Sequence, residues 1–230
     1  MRKPVLIVLA ALLTDPASAA ERRYSVTEFD RVQVDGPFQV TLRTGMPGSA
    51  VATGTNAEID RVSIDVQGRT LRVRPNSSAW GGYPGERVGT PRIALTTHDV
   101  RALLVRGPAS LDADRVKGMR ADVTLSGSGR IAVGRVEADQ LTLGLTGSGQ
   151  MIVAGETKGL RATVEGSGDL QASDLEAADA DINAGTSGTV DLLVTRAATV
   201  SSTGIGTVTI AGGAACTIRQ TGAGQVLCDD

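Results

Sequence analysis

A small-residue triplet that returns at almost constant spacing constrains this chain more than any other feature. It reads Gly107-Pro108-Ala109, Gly127-Ser128-Gly129, Gly147-Ser148-Gly149, Gly166-Ser167-Gly168, Thr186-Ser187-Gly188, Gly204-Ile205-Gly206 and Gly222-Ala223-Gly224. The third positions, at 109, 129, 149, 168, 188, 206 and 224, are separated by 20, 20, 19, 20, 18 and 18 residues. Around each triplet run apolar columns. Two residues after it stand Leu111, Ile131, Met151, Leu170, Val190, Val208 and Val226, and two further on Ala113, Val133, Val153, Ala172, Leu192, Ile210 and Cys228. Six residues before the third position stand Leu103, Val123, Leu143, Ala162, Ile182, Val200 and Ile218. Period two within a repeat marks strands with one buried face. A rung of 20 residues at about 3.3 Å each follows a path of roughly 65 Å, enough to close one coil of a β-helix. The expected fold is therefore all-β, a right-handed parallel β-helix (β-solenoid) with about 18–20 residues per rung. The triplet is its corner, where small residues permit positive φ and close approach of the rung above. A leucine-rich repeat has a similar period, but its Asn ladder and Leu-x-x-Leu-x-Leu unit are missing, as is the Gly-Gly-x-Gly-x-Asp unit of calcium-binding nonapeptide arrays.

Composition agrees with thin stacked layers. Every aromatic residue (Tyr24, Phe29, Phe38, Trp80 and Tyr83) lies before residue 84, so the last two thirds must pack with aliphatics alone. The N-terminus has the pattern of a secretory signal. Arg2 and Lys3 precede nine apolar residues from Val5 to Leu13, Asp15-Pro16 breaks the run, and Ala17-Ser18-Ala19-Ala20 offers a cleavage site. Nine apolar residues fall short of the roughly 20 that a membrane-spanning helix needs. The expected organisation is a signal peptide over 1–20, then one β-solenoid domain over 21–230, irregular over 24–100 and regular over 101–228. The mature chain is expected in the periplasm or on the cell surface, with no membrane span. Without residues 1–20 the chain keeps 21 basic and 24 acidic residues, net charge −3. That balance argues against nucleic acid, whose phosphates call for a basic face, and against anionic membranes.

Two cysteines, Cys216 and Cys228, lie near the end. Export to an oxidising compartment makes a disulfide the expectation, and two thiols with His98 far away make a poor metal site. Cys228 falls in an inward column and Cys216 in the column of Leu141 and Leu160, so the bond should close the terminal coil. In the N-terminal third Val32, Val34, Val40 and Leu42 flank Gly36-Pro37-Phe38, and further strands are expected at 59–66, 71–74 and 92–96.

The string Val32-x-Val34-x-Gly36-Pro37-Phe38-x-Val40-x-Leu42 resembles the opening signature of the putative auto-transporter adhesin, head GIN domain family. The Gly-Ser-Gly rungs and the Gly-x-Gly-x-Val-x-Cys228 ending support that resemblance over residues 29–228. It implies a right-handed parallel β-helix on exported envelope proteins of Gram-negative bacteria, with an adhesive role by name and no catalytic residues to carry over. Departures at Thr186-Ser187-Gly188, Ile205 and Ala223 should change corner packing and leave the fold intact.

Parallel β-helices also host polysaccharide lyases and hydrolases, which need paired carboxylates. Asp122 and Asp181 share a column, about 14 Å apart at the usual strand spacing, and Asp112 and Asp169 are expected to share another. His98 in Thr97-His98-Asp99 lacks a serine or cysteine motif around it, and no Gly-x-Ser-x-Gly elbow or phosphate loop occurs. No catalytic, metal or cofactor-binding residue is expected. The possible ligand contacts are Trp80 and Tyr83, on the Gly- and Pro-rich 75–91 loop, where exposed aromatics can stack on a sugar or anchor an interface. The expected function is non-enzymatic binding of an envelope glycan or protein through the solenoid faces or that loop. The alternatives are a polysaccharide-processing enzyme and a purely structural envelope module. Self-association is a further possibility that exposed sheet edges leave open.

Overall fold

The computed structural model describes residues 20–77 and 89–229. The expected signal peptide (residues 1–19 of it), Trp80 and Tyr83 lie outside the described residues. The elements in chain order are β1 Ala20–Tyr24, β2 Arg31–Asp35, β3 Gln39–Thr44, β4 Ser49–Gly54, α1 Asn56–Asp60, β5 Val62–Gln67, β6 Thr70–Pro75, β7 Arg92–Thr97 and β8 Ala102–Arg106. Then follow β9 Ser110–Gly127, β10 Arg130–Gly147, β11 Gln150–Gly166, β12 Asp169–Thr186, β13 Thr189–Ser202, β14 Thr207–Ala211, β15 Ala215–Gln220 and β16 Gln225–Cys228. From β9 onward every pairing is parallel, and each long strand bends round most of a coil. The chain is a β-solenoid, as its triplets demand.

The registers reproduce the sequence columns. Leu111 pairs with Ile131, Ile131 with Met151, Met151 with Leu170, Leu170 with Val190 and Val190 with Val208. These side chains are all fully buried. Changes of rung length are absorbed away from the triplet. The register shifts fall between Val133 and Val136, Ile152 and Ala154, Ala172 and Glu176, and Ala177 and Asp179. The triplet corner therefore stays in step while the opposite bend varies.

The corner is held by backbone. The amides of Ser148, Ser167 and Ser187 donate to the carbonyls of Gly127, Gly147 and Gly166 of the preceding rung, at 3.0, 2.8 and 2.9 Å. Thr186 takes the first corner position without positive φ. Its buried hydroxyl accepts from the Gly188 amide at 2.9 Å, so the departure repacks the corner and the rung continues.

The core has no large centre. Leu125, Leu143, Leu145 and Ile182 lie in thin layers, each at most 1% exposed. Leu143→Ala should cost about 3 kcal/mol, because neighbouring rungs fix the cavity walls. Chemical denaturation checks this, and a loss below about 1 kcal/mol would show that the layers collapse freely.

The N-terminal third departs from the expected parallel rungs. β2 and β3 do pair in parallel with β8, β6, β7 and β9. However, β1 with β4, β4 with β7, and β5 with β6 are antiparallel. These hairpin-like additions cover the first edge, ending it in β1 with Glu21, Arg22 and Arg23. Charge on an outer strand discourages edge-to-edge pairing. Residues 59 and 60, expected as strand, belong to α1, and the strand begins at Val62. Thr55 caps that single turn by accepting from the Glu58 amide at 3.3 Å, while Glu58 Oε2 accepts from the Thr55 amide at 2.7 Å. A capping box at Thr55 and Glu58 outweighs the β-branched Ile59.

Candidate binding surface

Two flat faces result. The first runs β4–β7–β3–β9–β10–β11–β12–β13–β14–β16. Its central outward column passes from Val51 and Ala94 through Ala132 and Ile152 to Thr209 and Leu227. Ten strands at about 4.8 Å make a strip of roughly 43 Å. Asp112 and Asp191 carry the charges in this column, Gln171 is polar, and its other side chains are small or apolar. The second face holds the strand segments that precede each triplet, from β6 and β2 through β8 to β13 and β15.

Between the faces, at the bend, lies an open groove of about 530 Å³. Gly118, Ala138 and Thr157 form its floor. Lys117, Glu137, Glu156 and Glu176 stand in one column on successive rungs, Glu137 opposite Glu156 and Glu156 opposite Glu176. Sequence reasoning, which tracked aspartates from the triplet, missed this column because the register shifts break the count. Arg135 binds Glu137 at 2.8 Å and reaches Glu156 at 3.8 Å, and Lys117 lies 3.9 Å from Glu137. The cations offset like-charge repulsion along the stack. Lys158 binds Asp139 at 2.7 Å, and that hydrogen bond raises the lysine pKa. Among the described residues no group of three or more His, Cys, Asp or Glu is placed to hold a metal.

The aspartate columns are not catalytic pairs. Thr142 and Arg161 separate Asp122 from Asp181, and Arg161 lies 3.5 Å from Asp181. Asp112 and Asp169, expected in one column, occupy two: Asp112 pairs with Ala132 and Asp169 with Gln150. Asp112 stands three residues after its triplet and Asp169 one residue after its own, so the two fall in different columns. Asp179 is held by Arg196, whose hydrogen bond lowers the carboxyl pKa. His98 is exposed, with Nε2 3.8 Å from Glu28. The corner amides that could resemble a phosphate cradle are consumed by the inter-rung bonds described above.

The model of the putative auto-transporter adhesin, head GIN domain family matches residues 28–214. The chain belongs to this family. Its fold is shared with a putative adhesin from Bacteroides fragilis, with a TM-score of 0.79 at 13% identity over 93% of this chain and 98% of that one. A putative lipid binding protein from Parabacteroides distasonis matches with a TM-score of 0.73 at 20% identity, over 92% and 97% of the two chains. A putative adhesin from Parabacteroides merdae matches at 0.65 with 17% identity, over 92% and 96%. At these identities the likeness speaks for the fold alone. No curated protein matches the sequence. The family and these neighbours carry names of binding proteins rather than enzymes. The family name and the Cys216–Cys228 disulfide point to an exported envelope protein. No helix among the described residues is long and apolar enough to cross a membrane.

Proposed function

We propose that this chain is a non-enzymatic, adhesin-like module of a Gram-negative envelope. It is exported by the signal peptide over 1–20 and folds as one β-solenoid domain over 21–230. Its role is to hold an extended glycan or protein partner. The observation that carries this reading is the first face, ten strands wide and unbroken by any turn. Extended repeat surfaces suit extended ligands because each rung adds an equivalent contact. The 75–91 loop, with Trp80 and Tyr83, is the second place where contact would be made.

A glycan array and pull-down from envelope extracts, with wild type and Trp80→Ala/Tyr83→Ala, test the reading. Retention of the same ligands by both proteins supports the faces. Loss in the double variant moves the contact to the loop, and silence in both assays leaves a structural module. For the enzyme reading, which needs paired carboxylates, Glu156 and Glu176 stand opposite each other on adjacent rungs. Polysaccharide turnover abolished by Glu176→Gln would replace the adhesin reading with it.

A further inference from the structure

The second face carries an arginine cluster in the irregular rungs. Asp30 precedes β2, and its two neighbours in the sheet are led in by Arg69 before β6 and Arg101 before β8. Backbone bonds fix all three: Asp30 and Arg31 amides donate to the Arg69 carbonyl at 3.0 and 3.2 Å, and the Arg101 amide to the Asp30 carbonyl at 2.9 Å. The Asp30 side chain, 14% exposed, accepts with one oxygen, Oδ2, from Nε of Arg69 at 2.9 Å and Nε of Arg101 at 3.0 Å. Gripping both guanidiniums by Nε orients them and leaves the terminal nitrogens of each outside the pair. That is the fork geometry with which arginine receives a carboxylate or sulfate.

Two more guanidiniums join this pair. Arg31, opposite Ala102, and Arg120, opposite Gln140, are exposed and have no ion pair among the described residues. Arg31, Arg101 and Arg120 line a depression of about 580 Å³ whose one carboxylate among the described residues is Asp122, already accepting from the Thr124 hydroxyl at 2.8 Å. Past Arg120 and Thr142 the depression runs into a second one, of about 670 Å³, that reaches Arg161 and ends at Asp179 and Asp181, which Arg196 and Arg161 already hold. The joined strip crosses strands along the stacking direction. Its floor offers Gln33, Thr142 and Gln140 for hydroxyl groups, beside the half-buried Leu104 for a sugar's apolar face.

We infer that this strip binds an acidic linear oligosaccharide, with Arg31, Arg101 and Arg120 receiving its carboxylate or sulfate groups and Arg69 flanking its end from the adjoining depression around Asp30. A rung spacing of about 4.8 Å is close to the length of one pyranose unit, so successive sugars meet successive rungs. A peptide would need an unpaired strand edge, and these strands are paired on both sides. A single-stranded nucleic acid would need aromatic platforms, which the strip lacks among the described residues. Net charge −3 does not oppose this, because the basic groups are concentrated locally. The inference rests on the binding reading above and assigns one face a ligand class.

Titration calorimetry of the full mature protein with oligogalacturonate, chondroitin sulfate oligosaccharides and neutral dextran oligosaccharides tests it. Binding of either acidic probe, salt-sensitive and weakened about tenfold for each guanidinium removed in Arg31→Gln/Arg120→Gln, is expected. The carboxylate and sulfate arms tell which anion is preferred. Arg23→Gln/Arg219→Gln removes the same charge elsewhere and should leave affinity unchanged. An equal loss in that control, or tighter binding of single-stranded DNA or anionic vesicles, overturns the inference. Binding of neutral glycans alone also overturns it while the adhesin reading stands. Silence toward every glycan, with a protein partner recovered from envelope extracts, has the same effect.

Discussion

Gly147→Ala is expected to destabilise the protein by about 4 kcal/mol, the sum of a strained backbone and an overpacked corner. Gly147 has φ +116°, a region that L side chains rarely adopt. A Cβ there would lie 2.5 Å from the Gly127 carbonyl oxygen and 3.2 Å from Gly127 Cα. Those atoms are backbone, and the rung below fixes them in turn: a Cβ on Gly127 would meet the Gly107 oxygen at 2.8 Å. The corner cannot relax one rung without moving the next.

Two other glycines separate the strain from the clash. Gly68, in the β5–β6 turn, has φ +63° but nothing within 4 Å of where a methyl would stand. Gly68→Ala should therefore cost about 1 kcal/mol, the backbone strain alone. Gly144 lies in β10, where a Cβ would touch Thr124 Oγ1 at 3.4 Å. Gly144→Ala should be neutral or stabilising by about 0.5 kcal/mol, because it lowers unfolded-state entropy. Guanidinium denaturation of the three variants checks the order, and a Gly147→Ala midpoint no lower than that of Gly68→Ala would refute the corner argument. Thr186 is consistent with it, since that corner carries its side chain without positive φ.

Much of the solenoid was legible because each rung repeats one packing problem. The triplets recur where rungs touch through backbone, and the inward columns recur where side chains fill one layer. What resisted reading has physical reasons too. Antiparallel β1, β4 and β5 carry the same period-two alternation as parallel strands, so alternation alone cannot give their direction. A single helical turn such as α1 is too short to show a 3.6-residue period. The Glu137–Glu156–Glu176 column was hidden by shifts at the variable bend, although its intervals of 19 and 20 residues were there to find. The Arg69–Asp30–Arg101 grouping joins residues 39 and 71 apart in sequence. Asp30 and Arg101 each stand eight residues before a triplet's third position, Phe38 and Ala109, but the rung of Arg69 has no triplet to count from. Chemistry gathered in the irregular third was therefore the least readable part of the chain.

Breaking the Cys216–Cys228 bond should loosen the last coil and little else. Cys216 lies opposite Ala198 and Cys228 opposite Ile210, and both of those partners are buried. The cysteines themselves are half-buried, and Ile218, in the inward column, is 43% exposed. Among the described residues no strand pairs with the outer edge of β15 or β16. This coil thus has half the neighbours of an interior rung, and the disulfide substitutes for the missing packing. Its cysteines are 12 residues apart, and closing a loop of that order is worth about 3 kcal/mol. In a stacked array each rung depends mainly on its neighbours, so the loss should remain local. Reduction, or Cys216→Ser/Cys228→Ser, should therefore raise amide exchange in β15 and β16 about 100-fold, with β10–β12 unchanged. Agreement between reduction and substitution excludes a packing effect of the serines. If protection in β10–β12 fell equally, the terminal coil would belong to one cooperative unit with the whole solenoid, and the bond would be a global staple.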